Sequence, residues 1–351
     1  MSRSVRAACF LLVALILAVP ALAVPGAADR VPAATLLVPF FETGINSTTH
    51  PNDTLLVVTN WLIANITLHY HVWDVNGNAT GLNGNIALGP LDTWDVALRD
   101  LIATAAPAVR TQLTTGSFYR GFMTIDVVTA ATALNPRQAG YPFGTTNALE
   151  GFIYFTRLSQ GSANGLAMVP LENLPGTTDS FMRGFYSGGD NREEIDSTAR
   201  FCANQVSTNP AGTTACSTGS DDSDIDRFHM RIFRSTPLTG STRAVIFTWR
   251  PGLAGGPSVF CDSQPCASDY TFRQYDQTGT AVQATTIRLN NVVNVIENSQ
   301  LVGTQGGWIS IFDVPNVQID MHVYAFSFNS AAPAGNPNLT WDAIFEGYIV
   351  P

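Results

Sequence analysis

From Thr35 onward the sequence keeps returning to one pattern: a short run of β-branched and aromatic residues, then a Gly, Pro or Asn that stops it, with stops about every 8–12 residues. Such punctuation leaves little choice but an all-β fold. No fixed-period repeat of the kind that builds a solenoid or a propeller accompanies it. The best helical candidate is Arg99 to Ala106, short and stopped by Pro107.

The stretch DTLLVVTNWLIANITLHYHVWDVNGN, residues 53–78, shows the pattern at its clearest. Ile66, Leu68, Tyr70 and Val72 alternate with Thr67, His69, His71 and Trp73, the period of two expected of a strand with one face buried. Leu55 to Val58 is leucine-rich and β-branched. The two runs, joined by Ile63-Ala64-Asn65, predict a β-hairpin, and Asn76-Gly77 predicts a further turn. Leu36 to Phe41 forms an earlier strand broken at Pro39, which calls for an edge position or a bulge. Phe118 to Val128 sets Phe122, Thr124, Asp126 and Val128 on one face, and residues 130–148 follow as a long loop punctuated by Pro136, Gly140, Pro142 and Gly144.

The expected fold is an antiparallel β-sandwich, immunoglobulin-like or jelly-roll-like, in two associated β domains. Residues 1–23 read as a secretory signal: Arg3 and Arg6, an apolar run from Ala7 to Val19, then Ala21-Leu22-Ala23 as the cleavage site. A flexible lead-in at 24–34 comes next, then a first domain at 35–174 and a second at 175–351, with LENLPGTTDS as the seam. The second domain carries an irregular insertion at 187–227, rich in Ser, Thr, Gly and Asp.

Charge and cysteine content narrow the compartment and the chemistry. The 18 basic residues are all arginine and face 27 acidic ones, for a net charge of −9, which disfavours nucleic acid and anionic membrane. The absence of lysine removes P-loop, Schiff-base and Ser-Lys chemistry. No segment after the signal offers the roughly 20 apolar residues of a membrane span. Four cysteines remain after cleavage: Cys202, Cys216, Cys261 and Cys266. In an exported chain an even count reads as disulfides, and of three connectivities the pairing Cys202 to Cys216 and Cys261 to Cys266 closes local loops. The protein is therefore expected to be secreted, in the periplasm, outside the cell or on its surface.

The succession ATLLVPFFETG, DTLLVVTN, LHYHVWDVNGN, TWDVALRDLI, GFMTIDVV, GFYSGGDNREEIDSTARF and GGWISIFDV resembles a family of exported bacterial proteins of unassigned function. The LVPFFE-like opening, Thr59-Asn60, Arg99-Asp100-Leu101 and Asp190-Asn191-Arg192-Glu193 carry the resemblance, which implies export and a β-rich fold. It brings no reaction and no catalytic residues. At the level of fold, residues 57–78 are also similar to immunoglobulin-like bacterial modules.

Two groups of residues invite a metal reading. His69 and His71 project from the same strand face, where imidazoles at i and i+2 can share one ion, with Asp74 close behind. With Tyr70 and Val72 assigned to the core, the histidines are expected on the outer face, beside Thr67 and Trp73. Asp222, Asp224 and Asp226 repeat D-x-D-x-D and offer hard oxygen ligands to Ca²⁺, although Arg227 and Phe233 stand where an EF-hand loop has Gly and Glu. No other cofactor is implied. Asp190, Glu193, Glu194 and Asp196, beside Arg183, Arg192 and Arg200, read as a surface ion-pair network.

For catalysis the sequence offers no complete constellation. Ser187 lies in G-x-x-S-G rather than G-x-S-x-G, and H-E-x-x-H is absent. The reading is a non-catalytic binding or structural protein whose partner is an extracellular protein or a glycan, with aromatics such as Trp61, Trp73 and Tyr70 as contact candidates. The alternative is an extracellular hydrolase of polysaccharide with carboxylates among the loops at 130–148 or 187–227. A membrane β-barrel is the third reading.

Overall fold

Residues 31–45, 52–157, 162–173, 186, 192–193, 200–201, 207–208, 214–215, 227–232, 242–249, 268–276, 278–297, 307–313, 321–329 and 344–345 are described by the computed structural model. The first ten strands are β1 (Thr35–Gly44), β2 (Asn52–Asn60), β3 (Ile66–Trp73), β4 (Ala79–Leu88), β5 (Thr93–Ala97), β6 (Thr114–Thr115), β7 (Phe118–Val128), β8 (Leu149–Arg157), β9 (Ser162–Ala167) and β10 (Val169–Asn173). With β11 (Arg192–Glu193) they form two sheets, β11-β10-β1-β7-β3-β4 and β5-β2-β8-β9, with β6 beside β7. All their pairings are antiparallel, and the fold is an all-β sandwich.

The two apolar runs of residues 53–78 are not a hairpin. Strand β2 pairs with β5 and β8, whereas β3 pairs with β4 and β7 in the opposite sheet. The five residues 61–65 are thus an arch between sheets. Asn60, fully buried, fixes it: its side-chain amide donates to the Ala64 carbonyl at 2.8 Å and to the Gly89 carbonyl at 2.7 Å, and its oxygen accepts from the Leu62 N–H at 3.0 Å. The hairpin is instead β3–β4, closed by Asn76-Gly77 with Gly77 at φ 85° and Asp74 N–H donating to the Asn78 carbonyl at 3.0 Å. Asp74 caps this turn by accepting the Asn76 and Asn78 N–H groups, both at 2.9 Å.

Strand β1 lies centrally between β10 and β7, and its pairing with β7 slips between Val38 and Phe41, so Pro39 sits at a bulge and not at an edge. A cross-strand pair farther along, Glu42 opposite Arg120, is a largely buried ion pair at 2.6 Å. Order begins before β1: Ala33 and Ala34, expected in the lead-in, are fully buried, and Ala33 bridges Leu149. Two short helices follow β5. The first, α1 (Leu98–Ala103), is anchored by Asp53, whose carboxylate accepts the Arg99 N–H at 3.1 Å, and burial pushes that carboxyl above its ordinary range. Pro107 then opens a second helix, α2 (Pro107–Leu113), instead of only ending the first.

Phe40 stacks on Phe155 at 6.0 Å and Tyr70 on Trp94 at 5.5 Å, each pair spanning the two sheets. Strand β1 is buried throughout and β3 and β7 over most of their length, so this sheet is covered on both faces. Tyr186 and β11 lie beyond the seam expected at residue 175 yet attach to this first sheet.

The remaining strands are β12 (Arg200–Phe201), β13 (Ser207–Thr208), β14 (Thr214–Ala215), β15 (Arg227–Ile232), β16 (Thr242–Trp249), β17 (Ser268–Tyr275), β18 (Ala281–Leu289), β19 (Val293–Glu297), β20 (Gly307–Asp313), β21 (Met321–Asn329) and β22 (Ile344–Phe345). They make the sheets β12-β21-β16-β19, with β22 beside β21, and β15-β20-β17-β18, plus the ribbon β13-β14. The halves touch: Val245, Val292 and Val293 join the first half's core, and the Val293 N–H donates to the Val75 carbonyl at 3.0 Å. Among the described residues the sheets are open, which removes the barrel reading, and no helix is long and apolar enough to cross a membrane.

Candidate functional site

Register places the chemistry. Across the sheet, Thr35 of β1 stands opposite Asp126 of β7, and Asp126 opposite His69 of β3. The next row sets Thr124 opposite His71, and the next Phe122 opposite Trp73. Opposed residues share a face, so alternate residues of three strands assemble one polar row. The Trp73 indole lies parallel to Phe122 at 5.8 Å and donates to the Thr124 hydroxyl at 3.0 Å.

That face is not the outer surface expected from the sequence. His69, His71 and Trp73 are all buried, at 0%, 2% and 0% exposure. Over His69 and Asp126 the cover comes from Tyr141, within residues 129–148, and from Tyr186. Phe143 bridges Val128, the Gly144 N–H donates to the Val127 carbonyl at 2.8 Å, and Thr132 exchanges two hydrogen bonds with the Asn85 side chain on β4. A side chain at Gly144 would meet Val127 atoms at 2.7–2.9 Å, so glycine is what lets the cover lie this close. The long loop is therefore a lid built into the fold.

At its centre is Asp126, which accepts from the Thr35 hydroxyl at 2.5 Å, the Tyr186 hydroxyl at 2.9 Å and the Tyr141 hydroxyl at 3.0 Å. Tyr141 also lies 2.8 Å from Nδ1 of His69. Tyr141 stands between the imidazole and the carboxylate, while Nε2 on the other side of the ring lies 3.4 Å from the Asn83 side-chain oxygen. The relay His69–Tyr141–Asp126 thus ties β3 to β7 through the lid. Burial lowers the pKa of His69, against the raising effects of Asn83 and Asp126.

His71 is the exception. Neither of its ring nitrogens has a hydrogen-bond partner among the described residues. Its ring packs on Trp73 at 4.5 Å and stands 6.2 Å from that of His69. Burial, with the neighbouring His69, pushes its pKa down to about 3.

The two histidines share a face, as the alternation requires, but no third ligand joins them. Asp74 is occupied by the turn and by Asn78 and Gln112, and among the described residues no group of three His, Cys, Asp or Glu stands where it could hold a metal ion. Asp222, Asp224, Asp226, the four cysteines and Ser187 lie outside the described residues, as do the side chains of the Asp190–Arg200 network. Residues 130–148 contain no Asp or Glu, so the hydrolase reading finds no carboxylate there; the acid beneath them, Asp126, is fully buried.

Sequence reasoning passed over Asp126, Tyr141, Tyr186 and Thr35. For Asp126 there was a signal: Phe122 to Val128 is otherwise free of charge and rich in β-branched residues, and a lone acid inside such a strand has to be partnered.

A second feature is the end of the sandwich where two arches meet, 61–65 and the connection 89–92 that carries the chain from β4 to β5 in the other sheet. Trp61, Ile63 and Leu91 are 53%, 86% and 60% exposed. Leu91 holds φ 56°, a left-handed conformation that costs a leucine about 1–2 kcal/mol, and its N–H donates to the Leu62 carbonyl at 2.9 Å. Beside them opens a cleft of about 550 Å³, to which Asn65 and Gly89 of the arches and Thr67, Thr129, Thr145 and Thr146 contribute.

No known protein family matches the chain, and no curated protein is similar to it in sequence. Among solved structures, the apo form of the Pleurotus ostreatus lectin is 12% identical, with 93% of this chain and 86% of the lectin covered and a TM-score of 0.17. The CupB6 tip adhesin from Pseudomonas aeruginosa is 9% identical, with 90% and 89% covered and a TM-score of 0.13. Likeness at this level carries no functional argument.

Proposed function

We propose that this is an exported, non-catalytic β-sandwich protein with a binding or structural role outside the cytoplasm. One observation supports it above others: the richest polar cluster among the described residues is spent on the fold. Asp126 and His69 are fully buried, and their hydrogen bonds run to Thr35, Tyr141 and Tyr186, residues that hold the lid to the sheet. A general acid or base must reach a substrate proton directly or through one water. These groups reach each other instead. Among the described residues the arch end presents exposed apolar side chains on hydrogen-bonded loops, a surface suited to contact with a partner.

Export rests on the signal-like residues 1–23 and on the resemblance to exported bacterial proteins. The test is secretion of the full chain with processing after Ala23, read by N-terminal sequencing, followed by assay of the mature protein on glycan and peptide substrates. The expected result is processing without turnover. Turnover abolished by a single Asp or Glu substitution would overturn the non-catalytic reading.

A further inference from the structure

We propose that β18 is an association edge at which two copies of this protein pair, β18 of one antiparallel to β18 of the other, so that their sheets β15-β20-β17-β18 join into one. The proposal goes beyond the binding or structural role argued above and does not depend on it.

The strand ends its sheet and pairs with β17 alone, in continuous register from Gln283 opposite Gln274 to Leu289 opposite Ser268. In an antiparallel ladder alternate residues turn their N–H and C=O groups away from the paired neighbour. From Ala281 to Ile287 those outward groups find no hydrogen-bond partner among the described residues. Ala284, Thr286 and Arg288 are exposed on one face of the strand, and Gln283, Thr285 and Ile287 are half-buried on the other, where Phe272 of β17 is fully buried opposite Thr285. A further strand laid on this edge would extend the cover over that half-buried row.

Sheet edges are as a rule blunted by shortness, charge, proline or a bulge, because a bare one pairs with other strands. The other described edges follow the rule. Strands β6, β11, β12, β13, β14 and β22 are two residues long, and β5, β9, β15 and β19 run to five or six. The other long edge, β4, turns at Gly81 with φ 78° and holds the lid through the Asn85 side chain. In β18 the bulge falls at Val282, beside the turn, and leaves Gln283 to Leu289 regular, with no Pro, Asp or Glu and with β-branched Thr285, Thr286 and Ile287 at the middle.

Charge identifies the occupant. The chain has 27 acidic residues, yet none lies between Asp276 and Glu297. Two copies at a net charge of −9 repel each other over most of their surfaces, and this edge keeps like charges out of the contact. Opposed residues share a face, so a two-fold pairing of identical strands is centred on a residue. Centred on Thr286, it sets Thr285 against Ile287, Ala284 against Arg288 and Gln283 against Leu289. The two Arg288 positions then lie roughly 13 Å apart along the strands, beyond a Debye length of about 8 Å at physiological salt. A basic partner strand would find no acid on the edge to answer it, and an acidic one would find Arg288 alone. A copy of β18 meets neither mismatch.

The test is sedimentation equilibrium of the mature full chain over a range of concentrations, with circular dichroism of each variant. A reversible monomer–dimer equilibrium is expected. Thr286→Glu sets two carboxylates face to face across the axis and should weaken dimerisation roughly fivefold, and an equimolar mixture of Thr286→Glu with Thr286→Arg should restore it. Ala284→Glu, opposite the partner's Arg288, should tighten the dimer, a shift that no loss of folding would produce and that decides the matter if Thr286→Glu loses its native spectrum. A monomer at every concentration overturns the proposal. So does a dimer that Thr286→Glu and Ala284→Glu leave unchanged, or one lost only in Ile63→Ser with Leu91→Ser, which would place the contact at the arch end. Turnover of a substrate would overturn the non-catalytic reading and leave this edge standing.

Discussion

His71 makes the folded state sensitive to acid, and the size of the effect follows from its surroundings. In the unfolded chain its imidazole takes a proton near pH 6.5, whereas burial beside His69 holds it neutral in the fold down to about pH 3. The folded pKa is the lower one, so nothing is lost above pH 6.5. As pH falls below that value the unfolded state binds a proton that the folded state refuses, and stability drops by about 1.4 kcal/mol per pH unit until roughly pH 3. At pH 5 the loss from this residue is about 2 kcal/mol, a substantial share of the roughly 5–15 kcal/mol that holds a domain. Unfolded carboxylates titrate near 4, and the raised Asp53 carboxyl acts alike in wild type and variants, so it is the difference between their slopes that isolates His71. His69, lowered in the same direction, adds to the slope. The assay is urea unfolding of the wild type and of His71→Phe and His71→Leu at pH 7.0, 6.0 and 5.0. With an m-value of about 2 kcal/mol/M, the wild-type midpoint should fall by about 1 M between pH 7 and 5, and both variants should fall less. Comparing slopes cancels whatever the other histidines contribute. Removing two nitrogens that have no partner among the described residues should also raise stability at pH 7 by about 1 kcal/mol in whichever variant packs better. Equal slopes in wild type and variants would refute the reasoning.

Asp126→Asn keeps the shape but loses the charged acceptor of three hydroxyls, and should cost about 3 kcal/mol at neutral pH by urea unfolding. Gly121→Ala should prevent folding of the first half, since the new Cβ would overlap the Trp73 carbonyl oxygen, a backbone atom of the neighbouring strand; native-like circular dichroism in this variant would count against the register. Leu91→Gly should raise the Tm, because glycine adopts φ 56° without the penalty of about 1–2 kcal/mol, and an unchanged or lowered Tm would show that the arch is not strained. Tyr70→Asp should unfold the first sandwich by placing a charge against Trp94 between the sheets, and an unchanged melting curve would refute the assignment of Tyr70 to the inter-sheet face.

The strands were legible because β-branched and aromatic runs, ended by Gly, Pro and Asn, report local backbone preference directly. Which strands share a sheet was not. Strands β2 and β3 are both apolar, and a five-residue break serves an arch as well as a hairpin. The difference lies in one side chain, since buried Asn60 satisfies the carbonyls of two arches at once, and in a sequence that asparagine looks like any turn residue. Pro107 is a similar case: a proline stops the helix before it and opens the helix after it, and only the backbone at Ala106 decides whether a second helix follows.

The histidines show why the site resisted the same reasoning. Alternation in β3 placed His69 and His71 together correctly but cannot say which face looks at water, because the pattern is symmetric when both faces are covered. Trp73 on the histidine face was the residue that broke the symmetry, since an indole of that size beside two imidazoles requires a covering layer. Over His69 and Asp126 that layer comes from Tyr141 and Tyr186, 15 and 60 residues along the chain from the Asp126 they bond, and no local signal links them. Their chemistry explains the arrangement after the fact. A carboxylate inside a β-sheet needs donors that carry no charge of their own and arrive from above the sheet, and in a lid without Lys, and with its one arginine at position 137, tyrosine supplies them. The same polar cluster that first suggests a reaction centre therefore acts as a lock, selecting the one lid position in which Asp126 and His69 are satisfied together.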